Sequence, residues 1–163
     1  DHYNPGNKTL GLSDTVYQSS SVAAVGVAAH ECGHAVQHAR GYAPLAIRGA
    51  LVPVANFGSA LAWPLILIGL LITGETSVFL INLGILLFSA AVLFQLVTLP
   101  VEFNASRRAV DVLGASGMLY PDELSSVKKV LGAAALTYVA GAASAILQLL
   151  RLLILTGGRR KND

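Results

Sequence analysis

VPVANFGSALAWPLILIGLLIT, residues 52–73, and VFLINLGILLFSAAVLFQLVTL, residues 78–99, are uncharged runs of 22 residues each, separated only by Gly74-Glu75-Thr76-Ser77. A helix needs about 20 apolar residues to cross the hydrocarbon of a bilayer. The four-residue linker forces the two helices to run antiparallel, so the chain returns to the side of the membrane it left. Pro53 suits an opening turn. Pro64 is expected to kink the first span, which bilayer proteins tolerate where neighbours cover the freed carbonyl.

The rest of the composition agrees with a lipid setting. Of 163 residues, 54% are hydrophobic and 12% charged, and the mean hydropathy is +0.63; an ordinary soluble domain carries about 25% charged residues. That excludes a disordered tail and a nucleic-acid-binding module, both of which need charge where aliphatic residues stand here. The net charge of +2 is too small to imply an acidic partner, and a single cysteine, Cys32, excludes an intrachain disulfide and any multi-Cys zinc module. A third apolar stretch, Gly132 to Thr156, is read as another span, although its first half is Ala/Gly-rich and Gln148 and Arg151 interrupt it.

Seven basic residues, Lys8, Arg40, Arg48, Arg107, Arg108, Lys128 and Lys129, fall on the side holding both outer ends of the hairpin, and none falls in the 74–77 turn. Positive charge is retained in the cytoplasm, which puts residues 1–50 and 100–131 there. The basic tail Arg159-Arg160-Lys161 opposes this orientation if the third stretch spans.

Ahead of the hairpin, Lys8 to Ser13 alternates polar and apolar residues and reads as a short strand after the turn Asn4-Pro5-Gly6. A helix is expected over Val22–Arg40, with Ser20 or Ser21 as N-cap and Gly41 at the C′ place. Beyond the hairpin, Val101 to about Ser116 and the stretch opening at Pro121-Asp122-Glu123 read as further helices.

The first of these helices holds His30-Glu31-Cys32-Gly33-His34, an H-E-x-x-H match. Chance supplies about 0.002 such matches in a chain of this composition. At 100° per residue the two histidines stand about 40° and one turn apart, so their imidazoles converge on one ion while Glu31 borders the same face. Glu31 is then the general base that takes a proton from zinc-activated water. Cys32 points away from the metal and is expected to be a small buried hydrophobe. Gly33 leaves room for another backbone.

Catalytic zinc needs a third protein ligand and an open position. His38 is two turns from His30, about 12 Å along the axis, too far for one ion. Gln37 and Arg40 occupy the Gly and His places of the H-E-x-x-H-x-x-G-x-x-H scheme, which rejects it. Among the glutamates, Glu31 is used, Glu75 lies in the turn across the membrane, and Glu123 reads as a helix N-terminal acid. Glu102 remains, at the start of the helix that emerges on the histidine side.

Asp1-His-Tyr-Asn-Pro5, Ala28-Ala-His-Glu-Cys-Gly-His-Ala-Val-Gln37 and Leu99-Pro-Val-Glu-Phe-Asn-Ala-Ser-Arg-Arg-Ala109 together resemble the bacterial membrane-bound neutral zinc metallopeptidases of the YugP type. More distantly they are similar to the HtpX and CAAX-prenyl endopeptidase group of gluzincins. The resemblance covers nearly the whole chain. It implies one Zn²⁺ per chain held by His30, His34 and Glu102, Glu31 as base, a cleft facing the cytoplasm, and a further membrane helix upstream. Ser106 stands where the more distant relatives carry Asp, on the face of Glu102, where a neutral outer contact is available to it. Arg107, Arg108, His2, Tyr3 and Tyr120 are each candidate donors to the oxyanion.

The expectation is therefore a mainly α, multi-pass cell-membrane protein in which an HExxH helix and a Glu-bearing helix are joined by a transmembrane hairpin, with a short β-strand near the active site. Residues 1–50 and 100–131 form the two parts of a catalytic domain, 51–99 the hairpin, 132–156 the third span and 157–163 a basic tail. The expected activity is zinc endopeptidase action on protein or peptide substrates from the cytoplasmic side, with the lipid bilayer and no nucleic acid as further partner. The sequence leaves the oligomeric state open. An intramembrane site-2-type protease would draw its third ligand from an Asp in a later span, and no span here contains one. A catalytically inactive zinc-binding scaffold would have no use for Glu31.

Overall fold

A computed structural model describes residues 1–157; the basic residues Arg159, Arg160 and Lys161 lie outside the described residues. The chain opens with an antiparallel pair, β1 (His2–Asn4) and β2 (Thr9–Gly11), in the register Tyr3↔Leu10. The Asn4 carboxamide oxygen accepts the Gly6 N–H at 2.9 Å, a local bond that turns the chain at Pro5-Gly6. β2 coincides with the expected strand, whereas β1 was not expected: three residues are too few to show alternation.

A short α1 (Asp14–Tyr17) leads into α2 (Val22–Ala39). Ser21 Oγ accepts from the Ala24 N–H at 3.2 Å and caps α2. Its other end closes as a Schellman motif: Gly41 has φ +63°, the Gly41 N–H donates to His38 O, and the Tyr42 N–H donates to Gln37 O.

Three long helices follow, α3 (Ala43–Leu71), α4 (Glu75–Ser116) and α5 (Pro121–Gly157), each long and apolar enough to cross a membrane. The turn between α3 and α4 is tighter than the composition suggests, with Gly74 at φ +89° and α4 starting at Glu75. The second apolar run and the Glu102 segment, read above as separate helices, are one helix of 42 residues that continues through Pro100. The helix opening at Pro121 likewise runs without a break into the third apolar stretch. Glu123 Oε2 accepts the Tyr120 N–H at 2.8 Å and caps α5, with Pro121 in the first-turn position that needs no donor.

The chain divides into two compact units. In the unit formed by residues 1–46 and 98–139, Ala109, Leu113, Val127 and Leu131 form a core against which Val22, Val25 and Ala29 of α2 pack. In the unit formed by residues 47–97 and the described residues from 140 onward, the core is Ala62, Ile66, Phe88, Val92 and Leu152. Within it α3 and α4 approach closely, because a Cβ on Gly58 would stand 2.6 Å from the Leu87 carbonyl oxygen. Small residues serve this role in lipid, where packing rather than water drives helices together. The large apolar side chains around this core face outward, Phe57 at 69% and Ile154 at 75% exposure, as a hydrocarbon surround requires.

Candidate metal centre

Two glycines of α2 let other helices come near it. A Cβ on Gly33 would stand 2.5 Å from the Ala105 carbonyl oxygen of α4, and one on Gly26 would stand 3.2 Å from a Val127 methyl of α5. This approach brings α4 against the face of α2 that carries His30 and His34. His30 Nε2 then lies 3.1 Å from Glu102 Oε2, and His34 Nε2 lies 3.7 Å from Glu102 Oε1. The two imidazoles meet edge-on with centroids 4.8 Å apart. One donor atom from each of the three residues lies within 4.8 Å of the other two, a group able to hold a metal ion.

The donor set suits zinc. Two imidazole nitrogens and a carboxylate give borderline ligands, and three protein ligands leave a fourth, reactive position. Hydrogen bonds orient the rings for it. Gln37 Nε2 donates to Val101 O at 2.8 Å and to Asn104 Oδ1 at 3.0 Å, so its Oε1 is left to accept from His34 Nδ1 at 2.9 Å. That tautomer leaves the lone pair on Nε2, the nitrogen facing Glu102. His30 is held alike, its Nδ1 3.0 Å from Ser106 Oγ.

Burial of His34 disfavours its charged form, but hydrogen bonds to Glu102 and Gln37 and the charges of Glu102 and Glu31 outweigh it and raise its pKa above the usual histidine value. Glu102 sits well inside α4 at 2% exposure, so it is not the helix N-terminal acid its place in the sequence also allows.

A cavity of about 170 Å³ opens beside the three residues. α2 contributes Val27, His30 and Glu31, α4 contributes Glu102 and Ser106, and α5 contributes Leu131, Ala134, Ala135 and Tyr138. Glu31 is therefore next to the candidate ligands, as its place in the motif requires. The other expected residues lie elsewhere. His38 accepts or donates at Tyr3 OH, 2.8 Å from its Nδ1. Arg108 points its Nε to Asn104 Oδ1 at 2.7 Å and lines a different groove, on the face of α2 that carries Cys32. Arg107, His2 and Tyr120 are exposed and line no part of the cavity. Cys32 is exposed rather than buried, because α2 leaves that face of the motif uncovered.

Two site residues escaped the sequence reading. Gln37, entirely buried, entered it only as a mismatch to another zinc scheme, yet its i+3 spacing from His34 puts both on one helical face. Tyr138 lay inside an apolar run, where an aromatic reads as lipid-facing.

Compared with known proteins, residues 1–157 match a family described as "putative neutral zinc metallopeptidase". The chain is 49% identical over 163 residues to a Bacillus subtilis (strain 168) protein described as "putative membrane protease YugP", covering 99% of this chain and 71% of that protein. No solved structure matches.

Proposed function

The chain belongs to the family of "putative neutral zinc metallopeptidases", and from that premise we propose that it is a membrane-anchored endopeptidase of the gluzincin type that hydrolyses peptide bonds at the His30/His34/Glu102 centre. The observation that carries this reading is the convergence of two imidazole Nε2 atoms and a buried carboxylate beside a cavity that Glu31 also lines. Bound there, zinc supplies Lewis-acid polarisation of the scissile carbonyl and lowers the pKa of water. His30 and His34 would hold it through Nε2, with Ser106 and Gln37 bonded to the Nδ1 side of each ring. Glu102 adds a charge that offsets the cation. Glu31 accepts the proton of the attacking water and returns it to the amine nitrogen as the C–N bond breaks.

The charge distribution of the chain supports a cytoplasmic location for this chemistry, and the substrate is a peptide or protein that reaches that side of the membrane. Glu31→Gln tests the mechanism, since it removes the base and leaves the three ligands. Zinc stoichiometry by metal analysis should stay near one, while cleavage of a peptide or protein substrate should fall by at least about 100-fold, the lower end for loss of an acid–base group. Full activity in the variant sinks this mechanism; parallel loss of zinc would make Glu31 a ligand.

A further inference from the structure

A second cavity lies on the face of α2 that carries Cys32 rather than the histidines, within the unit formed by residues 1–46 and 98–139. Its volume of about 330 Å³ falls in the range of about 300–1,000 Å³ that small-molecule sites occupy. Val25, Cys32 and Val36 form one stripe of α2, about 16 Å from end to end, and face Val112 of α4 and Met118 beyond it. Among the described residues one charged side chain lines this groove, Arg108. We propose that the groove binds a free long-chain fatty acid, with the hydrocarbon along the apolar wall and the carboxylate at Arg108.

The cation is held ready for an anion. Arg108 Nε donates to Asn104 Oδ1 at 2.7 Å, an oxygen that also accepts from Gln37 Nε2 at 3.0 Å, and the guanidinium lies 6.0 Å from the Tyr42 ring centroid. The side chain thereby reaches back to Asn104, beside Gln37, which puts its charge at the Val36 end of the stripe. These contacts leave the two Nη groups without a partner among the described residues, and a guanidinium so placed can fork a carboxylate. An apolar trough that ends at one cation matches a ligand with one hydrocarbon body and one anionic head. An extended peptide would lay its N–H and C=O groups against a wall that cannot satisfy them, whereas a hydrocarbon chain needs no partner. Height disfavours a phospholipid that stays in the bilayer. Arg108 is nine residues past Leu99, the end of the second apolar run, or about 14 Å of helix, while the headgroup layer extends only about 5–8 Å beyond the hydrocarbon. A single-chain acid can leave the bilayer and reach it.

Cys32 supplies the probe, because it is the single cysteine of the chain, is exposed and lines the groove. The full chain in phosphatidylcholine nanodiscs is alkylated at Cys32 with a small maleimide while fatty acid is titrated in. Saturating laurate should slow the reaction at least about tenfold, and shorter acids should bind more weakly by up to about fourfold per methylene removed. Dodecanol, the same chain without the charge, should need about tenfold more, the worth of one charge-assisted contact. Arg108→Gln should make laurate and dodecanol equal, whereas Arg107→Gln, at a residue that does not line the groove, should keep them apart. Val112→Glu, at an exposed position where substitution costs little, should abolish protection by laurate and leave that by dodecanol, so the test survives if Arg108→Gln fails to fold. A Gly49→Cys label in a Cys32→Ser background should react at one rate with or without laurate. The proposal is overturned if laurate leaves Cys32 reactive, if wild type treats laurate and dodecanol alike, or if Gly49→Cys is slowed as much as Cys32. It is equally overturned if phosphatidylglycerol nanodiscs protect Cys32 without laurate, which would make the occupant a bilayer phospholipid, or if protection rises with protein concentration, which would make it a second copy of the chain. Zinc stoichiometry and peptide cleavage decide the peptidase reading separately.

Discussion

Gln37 is completely buried in a chain whose lipid-facing composition gives a polar side chain little reason to be inside. Its amide is satisfied by three partners, His34, Val101 and Asn104, and an amide that oriented a ligand would be expected to be so constrained. Removing it tests that role without touching the candidate ligands. Gln37→Leu should lower zinc affinity by about 10- to 100-fold, the range for partners of a ligating histidine. Glu102→Ala should lose more, because it removes a ligand atom and the offsetting charge, whereas His38→Ala, whose ring meets Tyr3, should bind zinc as the wild type does. Competition with a chelator ranks the three, and a zinc-free His38→Ala beside a zinc-loaded Glu102→Ala would refute the ligand set. The raised pKa of His34 sets the pH dependence. In the metal-free protein its proton contributes stability that is fully present below the unfolded histidine value and is lost as pH rises through the folded one. Zinc must displace that proton, so affinity should fall as pH drops through the same raised value, with proton release measurable by calorimetry in two buffers of different ionisation enthalpy.

At the level of elements, the centre depends on how near α2 and α4 can come. Gly33→Ala would add a methyl 2.5 Å from the Ala105 carbonyl oxygen, a contact that only movement of a backbone can relieve. Gly132 lies exposed on α5 with nothing near its missing Cβ. Helix propensity favours alanine at both positions by about 1 kcal/mol, so the two substitutions separate propensity from packing. Gly132→Ala should raise the thermal midpoint slightly. Gly33→Ala should destabilise by about 1–3 kcal/mol, as overpacking does, and weaken zinc binding as the ligand-bearing helices part. Equal effects in thermal unfolding and zinc titration would mean that the close approach does not govern the site. The α2 boundaries were legible because capping is local: Ser21 and Gly41 act on their own neighbours. The unbroken α4 was not. A proline costs about 3 kcal/mol inside a helix, which makes Leu99-Pro100 look like a boundary, but Val101 and Ala105 just beyond it are fully buried, and packing of that order offsets a local penalty.

For the whole molecule, the proposed orientation rests on the distribution of basic residues. Thr76 is the labelling position of choice in the α3–α4 turn, because Ser77 is buried with its hydroxyl donating to the Gly69 carbonyl oxygen at 2.5 Å. In a Cys32→Ser background, Thr76→Cys should react with an impermeant maleimide from outside intact cells, and Gly49→Cys and Arg107→Cys only after the membrane is opened. The reverse pattern would move the proposed chemistry to the outer face. Hydropathy, capping and i, i+4 spacing act within one segment, so the three apolar spans and the α2 helix with its paired histidines could be read from the chain alone, and Glu102 could be singled out there as the candidate third ligand. Tertiary structure alone decided which donors surround the centre. Gln37 and Tyr138 entered it, and Arg107, Arg108, His2 and Tyr120 did not, since a cavity is made by side chains from three helices whose mutual approach depends on contacts such as Gly33 on Ala105. Those contacts join residues about 70 positions apart, beyond the reach of any local pattern, where only packing relates one segment to another.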